Sequence, residues 1–532
     1  MRARRKAVDG QIMAFMDIGT NAVRMLLARI NSNHTYTILS KQREAVRLGE
    51  GEFLGQELQP EPMHRAVLVC SKFAEMAKSY GVKEVVAVAT SASREAANRD
   101  RLLRRLKKEA NIDVRIISGK EEARLIYMGV ASGLNLGDKR AVFIDIGGGS
   151  TEIIVGDAHK YHFLDSLKLG AIRLTTMFLA DKSKTVSNTK YDLLQRHIRN
   201  TAAPLIHRLK KYQTQLAIGS SGTIVNLFEV AMNMSQKNAA TGNRNILTYS
   251  QLKASIKMLC SLPLEQRRMV KGINPDRADI IIGGAAILDT LMCDLGISEI
   301  RISDRGLREG LLVDYLSRKA STSVGQLSFR ERTVLQLGKS CGFDETHAMN
   351  VTKIAMELFD IGLRLKLHNL GTWERELLEY AAILHDIGMF LSFDGHQAHS
   401  AYFISNADLL GFDKKELAII AAIAEFHRKQ LPRKKNSNYA LLDEDSRAIV
   451  RILCIFLRIA ESLDRSRTGV VRHVKLHRNR KKDFELEVIA KKDCQLELWS
   501  VKNHVKAFKK VFGHEFVVNL SVEKSATGKR KS

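Results

Sequence analysis

The sequence predicts an α/β protein that is followed by an all-helical region and a short strand-containing end. Three observations carry that prediction. Short apolar runs such as IMAFM, VVAVAT, VRIIS and AVFI alternate with helical patterns from residue 12 to about 165, and again from about 214 to 315. Asp17-Ile18-Gly19-Thr20, between IMAFM and VRMLLARI, is echoed by Asp145-Ile146-Gly147-Gly148, between AVFI and TEIIVG. Each copy reads as strand, glycine turn, strand, and the repeat suggests two related domains facing one another. From residue 320 to about 470 the strand-like runs vanish, and helical apolar spacing takes over in NVTKIAMELFDIGLRL, RELLEYAAILHDIG, ELAIIAAIAEF and RAIVRILCIFLRIAESL.

In chain order, residues 1–11 are a basic extension, 12–131 a first α/β domain and 132–319 a second. Residues 320–470 form the helical domain. Period-two alternation in FELEVIA and QLELW predicts a small sheet within 471–524, and the polar tail 525–532 is expected to be disordered. The total of 532 residues suits several cores at roughly 100 to 200 residues per domain.

Lys plus Arg number 84 and Asp plus Glu 58, a formal charge of +26. A field of one sign concentrates polyanions, without saying which. The six cysteines are far apart with no C-x-x-C pair, which indicates neither a disulfide framework nor a zinc ribbon. No apolar run approaches the roughly 20 residues of a bilayer span, and Asp17 interrupts the only candidate leader, so a cytoplasmic protein without a membrane partner is expected.

Several loops suit phosphate chemistry. In DIGTNAVR, Gly19 permits a tight turn, Thr20 and Asn21 offer polar contacts, and Asp17 ends a strand; a hairpin with a capping Asp fits equally. DIGGGSTE is more specific, because Gly147, Gly148 and Gly149 leave backbone donors open beside Ser150, with Asp145 and Glu152 as carboxylates for Mg²⁺. The turn Gly219-Ser220-Ser221-Gly222-Thr223 runs from a strand into a helix, which makes an anion site or only a packing turn. Gly283-Gly284 is read as a close helix contact. Arg94, at the start of a helix, suits a phosphate clamp or a local pair with Glu95 or Asp100. Ser118 and Glu121 form a capping-box pattern, which leaves Glu122 without a structural duty, ionised near a helix start and suited to activating water or to a plain surface position. His347, His385-Asp386, His399 and His427, with Glu461 and Asp464 further on, could gather a divalent metal or be scattered histidines.

Taken in order, DIGTNAVR, ATSASREAANRD, ISGKEEARLIYMGV, FIDIGGGSTEI, LKLGAIRLT, AIGSSGTI and ISDRGLREGLLVDY resemble the exopolyphosphatase and guanosine pentaphosphate phosphohydrolase family over roughly residues 12 to 320. The resemblance implies a duplicated actin-like, sugar-kinase-like fold with two α/β domains closing over a cleft. It also implies Glu122 as the base that activates water, and Asp145 and Glu152 as the residues that hold Mg²⁺ and position the nucleophile. Phosphates would be cradled by Asp17, Gly19, Thr20, Asn21, Arg94, Gly147, Gly148, Gly149, Ser150 and Ser221. Ala22 stands where the family often has Ser.

LHDIGMF, GHQAHSAYFISNADLLGF and EFHRKQLPRKK resemble an HD-type helical domain. That implies a possible second divalent metal at His347, His385 and Asp386, with Glu461 where the HD pattern usually has Asp, or else a helical clamp for a polymer. The function expected is Mg²⁺-dependent hydrolysis of the terminal phosphate of inorganic polyphosphate. The alternatives are guanosine pentaphosphate hydrolysis, a kinase or ATPase with adenosine near Gly283-Gly284, and a non-enzymatic polyphosphate or nucleic-acid binder using basic runs such as 101–108, 428–435 and 477–482. The partners expected are those phosphate compounds and a second copy of the chain.

Overall fold

The computed structural model describes residues 10–31, 36–134, 136–137, 139–179, 181, 184–234, 245–320, 329–407, 409, 411–428, 431–433, 437–478 and 483–522. Most of the basic extension, the tail 525–532 and much of the basic runs 428–435 and 477–482 lie outside the described residues. The chain divides near residue 326 into two compact units.

The first unit holds two sheets. In the first, β1 (Gln11–Ile18), β2 (Ala22–Ile30) and β3 (Tyr36–Ala45) form an antiparallel meander, while β4 (Glu84–Ala89) and β5 (Val114–Ile116) add in parallel, giving the order β3-β2-β1-β4-β5. The second repeats it. Here β6 (Ala141–Ile146), β7 (Thr151–Gly156) and β8 (Tyr161–Leu167) form the meander, and β9 (Leu216–Ser220) and β11 (Glu299–Ile302) lie parallel to β6, with β10 (Ile246–Thr248) added at the edge in the order β10-β11-β9-β6-β7-β8. The duplicated Asp-Ile-Gly segment therefore marks a duplicated sheet.

The central strands are apolar at consecutive positions because both of their faces are covered. All six residues of β6 and all six of β7 are buried, as helices on either side require. The helix Ile281–Asp294 is buried nearly all round. A Cβ on Gly283 would stand 2.8 Å from the carbonyl oxygen of Ala171, and one on Gly284 would meet Thr223, so this glycine pair serves helix packing.

The second unit packs helices Phe329–Ser340, Glu345–Arg364, Thr372–Leu384, His396–Asn406, Lys414–Glu425 and Glu444–Leu463 with a sheet of β12 (Val471–Arg478), β13 (Phe484–Ala490) and β14 (Phe516–Val522). One hydrophobic core runs from Val334 in the helices to Phe516 in the sheet, so helices and strands are a single body. FELEVIA is a strand. QLELW, expected to be one, opens the helix Gln495–Lys502: Leu498 and Val501 reach the core at helical spacing while Trp499 is left exposed, and five alternating residues are too few to fix a period. Among the described residues no helix is long and apolar enough to cross a membrane.

Candidate active site

The two glycine turns and the β9 turn meet around a cavity of about 320 Å³. In the β1–β2 turn the Gly19 N–H donates to the Ala22 carbonyl at 3.0 Å, and in the β6–β7 turn the Gly147 N–H donates to the Ser150 carbonyl at 2.9 Å. Both are hairpin turns, and both line the cavity. They sit close together, since a Cβ on Gly148 would stand 3.0 Å from Thr20 Cβ and one on Gly149 would stand 2.5 Å from Ser91 Oγ. Glycine is required by this approach of backbone to side chain. The N–H groups of Gly148 and Gly149 have no partner among the described residues. In the third turn Ser221 adopts a left-handed backbone, φ 79°, and its hydroxyl donates to the Ile146 carbonyl at 2.7 Å. That strained residue starts the helix Ser221–Met234, whose first residues line the cavity.

Four buried carboxylates with raised pKa values gather here, and Glu309, also buried, joins the lining. Ser118 caps the helix Gly119–Ala131 by accepting from the Glu121 N–H at 3.2 Å, while the Glu121 carboxylate turns to Arg124 at 2.8 Å, so the reciprocal half of the capping box is absent. Glu122 lies on the inner side, 7% exposed, and accepts from Arg94 at 2.9 Å. Its pKa is pushed up to about 7 by burial, which outweighs Arg94 and is reinforced by Asp17 and Asp145. The ionised state expected from the helix dipole is overridden by the loss of water. Asp145 accepts from the Ser220 hydroxyl at 2.5 Å and is raised by burial, as is Asp17 despite its pair with Arg24 at 3.3 Å. Glu152, directly opposite Asp145 in the β6–β7 ladder, is not a lining residue. It lies beneath the cavity, accepts from the Ser166 hydroxyl at 2.8 Å, and is raised well above its usual range by burial and then by Glu122 and Asp145.

The cavity's positive charge comes from residues not singled out in the sequence. Arg24 and Arg43 stand directly opposite each other on β2 and β3, and Arg277, Arg305 and Arg308 complete the lining. Burial, with repulsion from Arg24 and Arg43, lowers Arg277 to about 9, and Arg43 is lowered by burial and by Arg24. Like charges opposite in a ladder are destabilising unless an anion lies between them. Arg94, expected as a phosphate clamp, stands beside the cavity. It does not line the cavity, and its guanidinium is held by Glu122 and the Ile117 carbonyl. The basic run 101–108 lies on the helix Arg99–Ala110, with Arg105 paired to Glu109 and Lys107 to Asp113, and none of it lines the cavity.

A divalent cation fits this donor set. Asp17 Oδ1 and both polar side-chain atoms of Asn21 are buried without a partner, and the four carboxylates raise one another's affinity for positive charge. Among the described residues no three-ligand protein cage forms in this cavity. Mg²⁺ at phosphate sites takes one or two carboxylates and leaves the remaining positions to phosphate and water.

In the helical unit the structure brings His347, His385 and Asp386 together, and joins His396 and His427 to the same Asp386. Glu461 is not among them; it accepts from Arg465 at 3.2 Å, and Asp464 one turn on binds His347 instead. His399 also falls outside the cluster.

The Ppx/GppA phosphatase family pattern matches residues 26–319, more than half of the chain. The chain belongs to the Ppx/GppA phosphatase family. It is therefore an enzyme of the hydrolase class that acts on phosphoanhydride bonds. Residues 329–504 match Ppx/GppA phosphatase, domain III. Among curated relatives, guanosine-5'-triphosphate,3'-diphosphate pyrophosphatase of Photobacterium profundum is 30% identical, covering 83% of this chain and 85% of its own. The protein of the same name from Vibrio atlanticus is 28% identical over 84% and 86%. Among solved structures, an exopolyphosphatase from Cytophaga hutchinsonii superimposes with a TM-score of 0.54 at 27% identity, covering 58% of this chain and 98% of that one.

Proposed function

We propose that this family member hydrolyses the terminal phosphoanhydride bond of inorganic polyphosphate, releasing orthophosphate. One observation carries the reading: a single cavity joins arginines crowded enough to need an anion with a buried carboxylate held near neutrality. Phosphoryl transfer demands neutralised charge and an in-line nucleophile more than covalent chemistry. Arg277, Arg43, Arg24 and Arg308, with the open amides of Gly148 and Gly149, hold the terminal phosphates. Glu122 takes a proton from water as its oxygen bonds to the terminal phosphorus, and the bridging P–O bond breaks to release the shortened chain. Arg94 orients Glu122. Asp17 and Asp145 would hold Mg²⁺, which when bound would neutralise charge on the transferring phosphate, and Glu152, opposite Asp145 in the β6–β7 ladder, adds a further carboxylate to their field.

The lining brings together backbone amides, hydroxyls, carboxylates and five arginines, a set suited to a chain of phosphates. Guanosine pentaphosphate is a second reading, favoured by the names of the two curated relatives. We read the helical unit, on its His385-Asp386 pair, as HD-type.

Phosphate release from long polyphosphate and from guanosine pentaphosphate, each with Mg²⁺ and with chelator, tests the proposal. The expectation is metal-dependent release with the higher specificity constant for polyphosphate. A higher constant for guanosine pentaphosphate transfers the function to the second reading.

A further inference from the structure

The glycine loop 147–150 is held from behind. The helix Ala171–Phe178 follows β8 on the second sheet's side, and its first N–H groups donate to carbonyls of the loop: Ala171 to Gly147 at 3.0 Å, Ile172 to Gly148 at 2.9 Å and Arg173 to Gly148 at 3.2 Å. The Arg173 side chain completes the set, its Nε donating to the Gly149 carbonyl at 2.8 Å. Gly170 admits this approach, since a Cβ there would stand 2.4 Å from the Gly148 carbonyl oxygen. Consecutive carbonyls of the loop are thus fixed toward one short helix. In a planar trans peptide the N–H points opposite to the C=O, so the amides of Gly148, Gly149 and Ser150 are turned the other way.

Arg173 itself does not line the cavity, and its side chain is 12% exposed. Its guanidinium reaches across to the first sheet's side of the unit. Nη2 donates to Glu95 at 2.6 Å, and the guanidinium carbon lies 4.1 Å from the centre of the Phe53 ring. Glu95 also accepts from Ser91 Oγ at 3.2 Å and pairs with the exposed Lys168 at 3.2 Å. Ser91 and Phe53 are the side chains that a Cβ on Gly149 would strike, so this cluster and the loop are in direct contact. Glu95 follows Arg94 directly, and Arg94 binds Glu122 at 2.9 Å. Neighbouring residues at the end of the helix Ser91–Glu95 therefore reach in two directions, Arg94 to the buried carboxylate of the cavity and Glu95 to the side chain behind the phosphate loop.

We propose that Arg173 and Glu95 are positioning residues for phosphoryl transfer: Arg173 fixes the peptide planes of the loop so that its amides meet the terminal phosphate, and Glu95 fixes that loop relative to Arg94 and hence to Glu122. A guanidinium is a rigid planar fork, so one group sets the loop contact and the cross-sheet contact together. Neither residue touches substrate. The inference rests on the reading of this cavity as the place where a terminal phosphate is cleaved. It holds for either substrate, because polyphosphate and guanosine pentaphosphate both end in a phosphoanhydride-linked phosphate.

Arg173→Gln, Glu95→Gln and the double variant are assayed for phosphate release from long polyphosphate and from guanosine pentaphosphate, with melting temperatures measured alongside. A misplacement of about 1 Å costs on the order of 10²-fold in rate, so Arg173→Gln is expected to lower kcat about tenfold to a hundredfold on both substrates, with a smaller rise in KM. Glu95→Gln leaves the bond to Gly149 in place and is expected to lose less, which keeps the test available if Arg173→Gln folds poorly. The double variant is expected to be no slower than Arg173→Gln, because both changes act through one contact. The ascending limb that Glu122 gives the rate profile should stay near pH 7 throughout, since Arg94 is untouched. Loss of kcat on guanosine pentaphosphate, in a wild type that prefers it, supports this inference while overturning the polyphosphate reading. Lowered melting temperatures with kcat and KM unchanged on the preferred substrate, or losses that simply multiply in the double variant, overturn the inference and leave the polyphosphate reading intact.

Discussion

Replacing Glu122 by Gln removes the proton-accepting carboxylate while keeping a carbonyl oxygen for Arg94 to bind. A positioned general base contributes roughly 10² to 10⁴ in rate, so turnover should fall by that factor while substrate binding is retained. The pH profile gives the sharper test. With the Glu122 pKa near 7, the wild-type rate rises through neutrality as the carboxylate ionises, and this ascending limb should vanish in the variant. The assay is orthophosphate release from polyphosphate between pH 5 and 9 at saturating Mg²⁺, with binding measured separately by calorimetry. Turnover within a few-fold of wild type, or an ascending limb that persists in the variant, would refute the assignment.

Stability should move the other way. The folded-state pKa of Glu122 stands above its ordinary 4.5, so the folded protein holds this proton more tightly than the unfolded chain does. The associated stability is fully present below about pH 4.5 and is lost as pH rises through about 7. At about 1.4 kcal/mol per unit, the shift amounts to about 3 kcal/mol at pH 8.5. Glu122→Gln carries no such loss. Its melting temperature relative to wild type should therefore rise between pH 5 and pH 8.5 in the absence of metal.

Arg94→Ala removes the main influence that lowers the Glu122 pKa, so the ascending limb of the rate profile should shift to higher pH; an unmoved limb would mean that Arg94 does not act through Glu122. Arg277→Gln deletes a buried cation of the lining, and one charge-assisted contact is worth about 1.5 to 3 kcal/mol, so KM for polyphosphate should rise about tenfold to a hundredfold with a smaller change in kcat. Gly310→Ala drives a methyl group into the backbone of Leu125, where the helices Leu307–Ala320 and Gly119–Ala131 touch, and thermal melting should show a loss of more than about 2 kcal/mol.

The glycine loops were legible because a tight turn constrains residue type locally: Asp-Ile-Gly can be read twice without knowing what lies across the sheet. The arginines were not. Arg24 and Arg43 become a pair only through the β2–β3 register, and Arg277 reaches the cavity from a 3₁₀ turn, Pro275–Arg277, far along the chain. A Cβ on Gly222 would stand 2.5 Å from the Arg277 guanidinium, so that glycine admits an arginine to which no local pattern points. Arg94 was legible as a phosphate clamp or a local pair with Glu95 or Asp100, but its bond to Glu122 was not, because Glu122 lies on another helix. In HQAH the two histidines are three residues apart, and only the packing of Gly388 against the His396 backbone shows that His396, not His399, turns toward Asp386.

The ionisation of Glu122 is where local reasoning fails on principle. A helix N-terminus offers an anion about 0.3 to 1 kcal/mol at an exposed site, whereas a rise of the Glu122 pKa to about 7 corresponds to about 3 kcal/mol in the opposite sense. Desolvation beside Asp17 and Asp145 therefore wins by several-fold, and it depends on atoms brought from other strands. The same comparison explains why acid and base groups coexist in one small cavity. Buried arginines forced together and buried carboxylates forced together each carry an electrostatic penalty, and under the proposed function a magnesium–phosphate ligand would relieve both at once, with the arginines available to its anionic oxygens and Asp17 and Asp145 to its cation. Either ligand alone would relieve one set and leave the other strained, so Mg²⁺ and polyphosphate should each bind more tightly in the presence of the other.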